Sequence, residues 1–141
     1  MSTKAILTAL QVFLFSSCLF AQEISPLAEQ ALQEKYPGAQ NVEWDRTGKR
    51  EYQGDFVLKG KTMSATFAPN GEWIETETIL KNTALPQPVK DYVAKTYPKG
   101  VIAEVALIER PTLAEGIYRV EIENNGKDFD LMVNPKGEPV E

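Results

Sequence analysis

The chain has no histidine, and its one cysteine, Cys18, lies near the N-terminus. Without histidine there is no Ser-His-Asp triad, no Cys-His pair and no histidine metal site. No glycine-rich loop follows a strand pattern to cradle a phosphate; the glycines sit in turn sequences, where conformation alone accounts for them. There is also no run or stripe of lysine and arginine. With 15 basic and 20 acidic residues the formal charge is −5, which argues against a nucleic-acid partner and against an anionic membrane surface. No cofactor motif is present and none is expected. The one long apolar run, Ala5 to Leu19, is broken by Thr8, Gln11, Ser16 and Ser17. It falls short of the ~20 apolar residues of a membrane span.

That run has another reading. Lys4 supplies a positive start, the apolar stretch follows, and Ala21 before Gln22 is a small residue at a cleavage point. Residues 1–21 read as a secretory signal. Leu14-Phe15-Ser16-Ser17-Cys18 also resembles a lipoprotein signal in which Cys18 becomes the lipidated first residue, although Phe15 fits poorly there. Simple cleavage after Ala21 is preferred, with a periplasmic destination. The mature chain, 22–141, then has no cysteine, and loss of Lys4 takes the charge from −5 to −6. An exported domain without disulfides depends on its core, and about 120 residues suffice for one.

What is present is a phrase that occurs twice. Ser25-Pro26 is a good helix start, and Ala28, Leu32 and Tyr36 follow at helical spacing before Pro37-Gly38. Leu85-Pro86-Gln87-Pro88 starts a second pattern, with Val89, Val93 and Tyr97 before Pro98-Lys99-Gly100. In each case 61 residues separate Ala28 from Val89, Leu32 from Val93 and Tyr36 from Tyr97. After each helix the period changes to two. Val42 and Trp44 alternate with polar residues; so do Tyr52, Phe56 and Leu58, with Gly54 as an expected bulge. Met63, Ala65 and Phe67 follow the Lys59-Gly60-Lys61 turn, and Pro69-Asn70-Gly71 precedes a strand from Trp73 to Leu80. Later come Val105 and Leu107, then Tyr118, Val120 and Ile122, the Asn124-Asn125-Gly126 hairpin turn, and Phe129, Leu131 and Val133. Pro135-Lys136-Gly137 lies 66 residues after Pro69-Asn70-Gly71, so a longer loop is expected around Glu109 to Leu113. The fold expected from this is α+β. It has two tandem repeats, about 24–81 and 85–141, each a helix followed by three to four antiparallel strands, with the helices on one sheet face. A unit of about 55 residues is marginal alone, so one domain is expected rather than two.

Candidate chemistry is sparse. Glu75 and Glu77 lie two apart on one strand face, as do Asp128 and Asp130, and either pair is the ordinary solvated side of a one-sided sheet. A hydrolase using Glu75 and Glu77 would need a cleft and a raised carboxyl pKa. Asn124 to Asp130 offers oxygen ligands, so Asp128 and Asp130 are weak calcium candidates, though Lys127 intervenes and no closing glutamate follows. Trp44, Tyr52, Phe56, Phe67, Tyr118 and Phe129 are in phase with apolar neighbours and read as core. Trp73 is out of phase with Ile74 and shares its side with Glu75 and Glu77. With Thr62, Ser64 and Thr66 on a neighbouring strand it makes an expected partner-contact surface. A strand-end bulge would instead turn Trp73 inward.

A serine-proline or leucine-proline helix start, a short helix ending in Tyr-Pro-Gly, a Val-Glu-Trp strand and hairpins closed by Pro-Asn-Gly together resemble the PepSY-like family of exported bacterial proteins. These are also described as similar to beta-lactamase inhibitory protein. The second copy departs from the pattern, with Lys99 before Gly100 and Val105 where the first has Trp44. The resemblance implies periplasmic helix-plus-sheet units with an open sheet face, through which the inhibitor analogue binds an enzyme; it supplies no site residues. The leading expectation is a non-catalytic periplasmic binding module that meets a protein or peptide through that face. The alternative is a calcium- or small-ligand-responsive envelope sensor.

Overall fold

Pro26 sets where the first helix begins, because its fixed φ suits the first turn and its missing N–H costs nothing there. In the computed structural model, which describes residues 23–140, helix α1 runs Pro26–Lys35. The expected signal segment and Cys18 lie outside the described residues. Ser25 does not cap the helix through its side chain. Its hydroxyl donates instead to the Pro69 carbonyl at 2.7 Å, tying the helix start to a turn of the sheet. Helix α2, Gln87–Thr96, also carries proline in its first turn. The two helices end alike: Tyr36 and Tyr97 both sit at φ −127° and donate their N–H groups to Leu32 and Val93.

Seven strands make up the rest: β1 (Gln40–Arg46), β2 (Tyr52–Leu58), β3 (Lys61–Phe67), β4 (Trp73–Leu80), β5 (Val101–Glu109), β6 (Ile117–Asn124) and β7 (Lys127–Val133). They form one sheet in sequence order, and every neighbouring pair is antiparallel. This corrects the expectation of two tandem helix-plus-strand units. β4 pairs with β5 from Thr76↔Glu109 to Leu80↔Val105, as regularly as strands pair within a hairpin. The sheet therefore has no seam at which one unit ends. The doubled sequence phrase marks two similar helix ends, not two bodies.

Alternation along the strands sorts the side chains onto two faces. One face carries the core. Ala28 and Leu32 of α1 pack with Tyr52, Phe56, Met63, Ala65 and Phe67. Val89 and Val93 of α2 pack with Leu85, Val105, Val120, Ile122 and Val133. Each fully buried large side chain here contributes about 1.5–3 kcal/mol relative to exposure. Of the aromatics expected in the core, Tyr52, Phe56 and Phe67 are buried, while Trp44, Tyr118 and Phe129 are partly buried against these clusters. Gly54 is not a bulge: it pairs regularly between Trp44 and Ala65. Its missing side chain makes room for Leu32, whose Cδ1 lies 2.6 Å from where a Cβ would stand. The register shifts fall elsewhere, in β1 between Gln40 and Glu43, in the β3–β4 pair beside Phe67, and in β5 between Ile102 and Glu104.

The turns before β4 and after β7 tuck under the helix starts. A Cβ on Gly71 would lie 2.9 Å from the Leu27 carbonyl oxygen, and one on Gly137 would lie 2.4 Å from that of Pro88. Beyond β7 only an isolated bridge, Val133↔Pro139, continues the sheet. The expected longer loop lies between β5 and β6, from Arg110 to Gly116.

Two polar residues, Thr76 and Thr78, are buried on the helix face. Thr76 on β4 is fully buried. Its hydroxyl accepts the Trp73 indole N–H at 2.8 Å and makes a second hydrogen bond with the Tyr36 hydroxyl. The trio clamps the C-terminal end of α1 to β4. Burial pushes the Tyr36 pKa above 10.0; the Thr76 hydrogen bond acts against this, and the Glu109 charge adds to it. A raised folded pKa means that the folded state holds the proton more tightly. The stability it contributes is complete below the unfolded value and drains away as pH rises through the folded one. Urea unfolding followed from pH 8 to 11 should therefore show stability falling above about pH 10, with a shallower fall in Tyr36→Phe. Equal slopes for the two proteins would refute this account of Tyr36.

Candidate functional site

The face opposite the helices is polar, and the register shows why. Asp55, Ser64, Glu77 and Ile108 follow one another across β2, β3, β4 and β5, each paired with the next. Gln53, Thr66 and Glu75 form the adjoining row. Apart from Ile108, which with Ala106 and Ile117 forms a buried apolar patch on this face, each belongs to the strand phase that alternates with the core residues, so the sequence pattern itself delivers a sheet with one apolar and one mainly polar side.

This face carries most of the sheet's carboxylates. Glu43 and Asp45 stand on β1, Asp55 on β2, Glu75 and Glu77 on β4, and Glu104 on β5; Glu121 and Glu123 stand on β6, Asp128 and Asp130 on β7. Among the described strand residues the only cation on it is Arg119 of β6, which pairs with Ala106 and Met132. Its guanidinium contacts three carboxylates from three strands: Glu77, Glu104 at 3.2 Å and Asp130 at 3.7 Å. Burial disfavours the Arg119 cation, but the hydrogen bond and charge of Glu77, the Glu104 hydrogen bond and the Asp130 charge outweigh it, so its pKa is raised above the ordinary arginine value. Arg110, just past β5, holds Glu75 at 2.6 Å.

The expected contact residues divide between the two faces. Thr62, Ser64, Thr66, Glu75 and Glu77 lie together on the polar face, and the Ser64 hydroxyl donates to Asp55. Trp73 does not join them. In the β3–β4 register Thr66 pairs with Glu75 but Phe67 pairs with Trp73, so Ile74 is the extra residue of a bulge. A bulge reverses strand parity. Trp73 thus turns to the helix side, packs against the α1 cluster and lies under Lys35, whose Nζ is 3.7 Å from the ring centroid. Asp130 is engaged by Arg119, and Asp128 lies opposite Glu123 at the far end of the same face. No group of three or more Asp, Glu, His or Cys residues is placed to hold a metal ion among the described residues. Glu75 and Glu77, the pair that a hydrolase would have had to use, are each held by an arginine.

Arg119 is the residue that sequence reasoning missed. Its signal was a lone cation in the polar phase of Tyr118-Val120-Ile122. Four neighbouring strands had to be set in register before its role was visible.

A helix-backed antiparallel sheet with an open, acidic, ion-paired face defines the class of protein. The family model described as "Putative beta-lactamase-inhibitor-like, PepSY-like" matches residues 50–139, and the chain belongs to that family. Three solved structures share the fold. A BLIP-like protein from Bacteroides fragilis is 27% identical, with TM-score 0.75 and 84% of each chain covered. A structure from Bacteroides eggerthii, described as of putative periplasmic proteins, is 24% identical, with TM-score 0.77 and 84% of this chain and 87% of that chain covered. A DUF2874 family protein from Bacteroides uniformis is 22% identical, with TM-score 0.75 and 82% and 86% covered. No curated protein matches the chain. No helix among the described residues is long and apolar enough to cross a membrane.

Replacing Arg119 with leucine leaves three carboxylates facing one another without their shared cation. Its side chain is 21% exposed, so the cost falls between those of surface and buried pairs, about 1–2 kcal/mol. Urea denaturation should show that loss at low salt and a smaller one in 1 M NaCl, where screening weakens the repulsion. An unchanged midpoint at low salt would mean that Arg119 does not organise the face.

Proposed function

We propose that this protein is an exported, non-catalytic binding module whose acidic sheet face docks a basic surface on a protein partner. The observation that carries the reading is the carboxylate-rich face itself: apart from a buried patch at Ala106, Ile108 and Ile117 it is polar, and among the described residues its carboxylates are met by Arg119 and Arg110 alone. Such a surplus favours a positively charged partner and speeds its approach. The arginine network pre-orders Glu77, Glu104 and Asp130, so fewer side chains must be immobilised on binding. Membership of an inhibitor-like family and likeness to a BLIP-like protein support a protein partner. Likeness to a structure described as of putative periplasmic proteins supports the periplasm as the compartment. Thr62, Ser64, Thr66, Glu75 and Glu77 are the proposed contact residues, with Asp55 and Glu121 beside them. Trp73 is left out because the bulge turns it to the helix side.

The reading predicts that immobilised protein captures a basic partner from envelope extract at low salt. Charge reversal on the open face (Asp55→Lys with Glu121→Lys) should abolish capture, as should 0.5 M NaCl. Lys35→Glu, on the helix side, should leave it intact. Capture that survives the face reversal but fails with Lys35→Glu would place the partner on the other side and overturn the proposal.

A further inference from the structure

A second candidate site lies where the sheet opens. β3 begins at Lys61 and β4 continues to Leu80, yet their pairing stops at Met63↔Thr78. The two strands part at this end. Lys61 and Thr62 remain paired to β2, and Ile79 and Leu80 to β5, so the divergence leaves their facing main-chain edges without strand partners. A cavity of about 410 Å³ occupies the gap, with Lys61 and Thr62 on one wall and Ile79, Leu80, Lys81 and Ala84 on the other. A second cavity of about 270 Å³ shares Lys61 and Leu80 with it. That one passes over Leu58, Met63, Thr78 and Leu107, at the join between the two core clusters.

The two cavities form one cleft, apolar inside and cationic at the mouth. Lys59, Lys61 and Lys81 stand around it in a chain whose net charge is −5. All the ion pairs found among the described residues are made by arginine, so these three lysines have no carboxylate partner there. The one acid on the lining, Glu109, belongs to the second cavity. Apolar pockets with a few converging polar groups are the usual form of small-ligand sites. Here the polar groups are the lysine ammonium donors and the N–H groups of the parted strand edges, and these favour a carboxylate.

We propose that this cleft binds a linear acyl chain by its carboxylate. The head lies between Lys61 and Lys81 at the parted strands, and the tail runs along Leu80, Met63 and Leu107. The site borders the acidic sheet face at Thr62, but its recognition is of opposite charge and its ligand is a small amphiphile.

Titration calorimetry of the mature chain with sodium octanoate and sodium decanoate, both below their micellar concentrations, tests it. Each buried methylene is worth about a fourfold gain in affinity, so decanoate should bind saturably, one per chain, and about fifteenfold tighter than octanoate. Decyltrimethylammonium, with the same tail and the opposite charge, should bind at least tenfold more weakly than decanoate. Lys61→Glu should weaken decanoate binding at least tenfold; should that variant not fold, Lys81→Glu, outside the strands, reads the same effect. Asp55→Lys with Glu121→Lys, which tests the sheet face, should leave decanoate affinity unchanged. No saturable binding, equal affinity for the anionic and cationic amphiphiles, or full affinity in the folded lysine variant would each overturn the proposal.

Discussion

The five residue pairs that join β4 to β5 are the constraint on which the rest depends. They convert two helix-backed groups of strands into one sheet. Without them, each half would have about 55 residues and no disulfide, a size at which stability is marginal. With them, Thr76, Thr78 and Leu80 become the middle of a continuous helix-side surface, and Glu75 and Glu77 the middle of a continuous polar one. Thr76 also anchors α1 through Tyr36 and Trp73, so the central strand holds both its sheet neighbours and a helix.

One continuous sheet makes the two faces unequal. Both helices pack on the same side, and their apolar residues meet the phase of the strands that carries Phe56, Phe67, Val105 and Ile122. Apart from the buried Ala106, Ile108 and Ile117, the other phase is dominated by carboxylates. Arg119 reaches Glu77, Glu104 and Asp130 only because β4, β5, β6 and β7 lie in consecutive register. The network is therefore a consequence of the sheet's continuity, and so is the proposed docking surface.

The individual elements were legible in the sequence, and their assembly was not. Ala28 with Leu32 and Val89 with Val93 announced the buried stripes of the helices, and the alternation from Met63 to Phe67 announced β3. Thr62, Ser64, Thr66, Glu75 and Glu77 do share one face of the sheet, because alternation and turn chemistry are local. The two-unit fold was misread because the repeated phrases are local too, whereas β4–β5 pairing connects residues across α2 and the short 3₁₀ turn Asn82–Ala84. Trp73 was misread because the extra residue at Ile74 reverses parity without any compositional mark. Arg119 was not singled out at all, because its three partners come from strands far apart in sequence.

Cooperativity tests the continuous sheet most directly. Both tryptophans, Trp44 and Trp73, lie before the β4–β5 junction, so their fluorescence reports on the first half of the chain alone, whereas far-ultraviolet circular dichroism reports on both halves. Equilibrium unfolding in urea, followed by the two signals on one sample, should give a single coincident transition, as expected of one cooperative domain. Separate midpoints, with fluorescence lost before or after the dichroism, would show two units unfolding on their own and would contradict the single sheet on which this account stands.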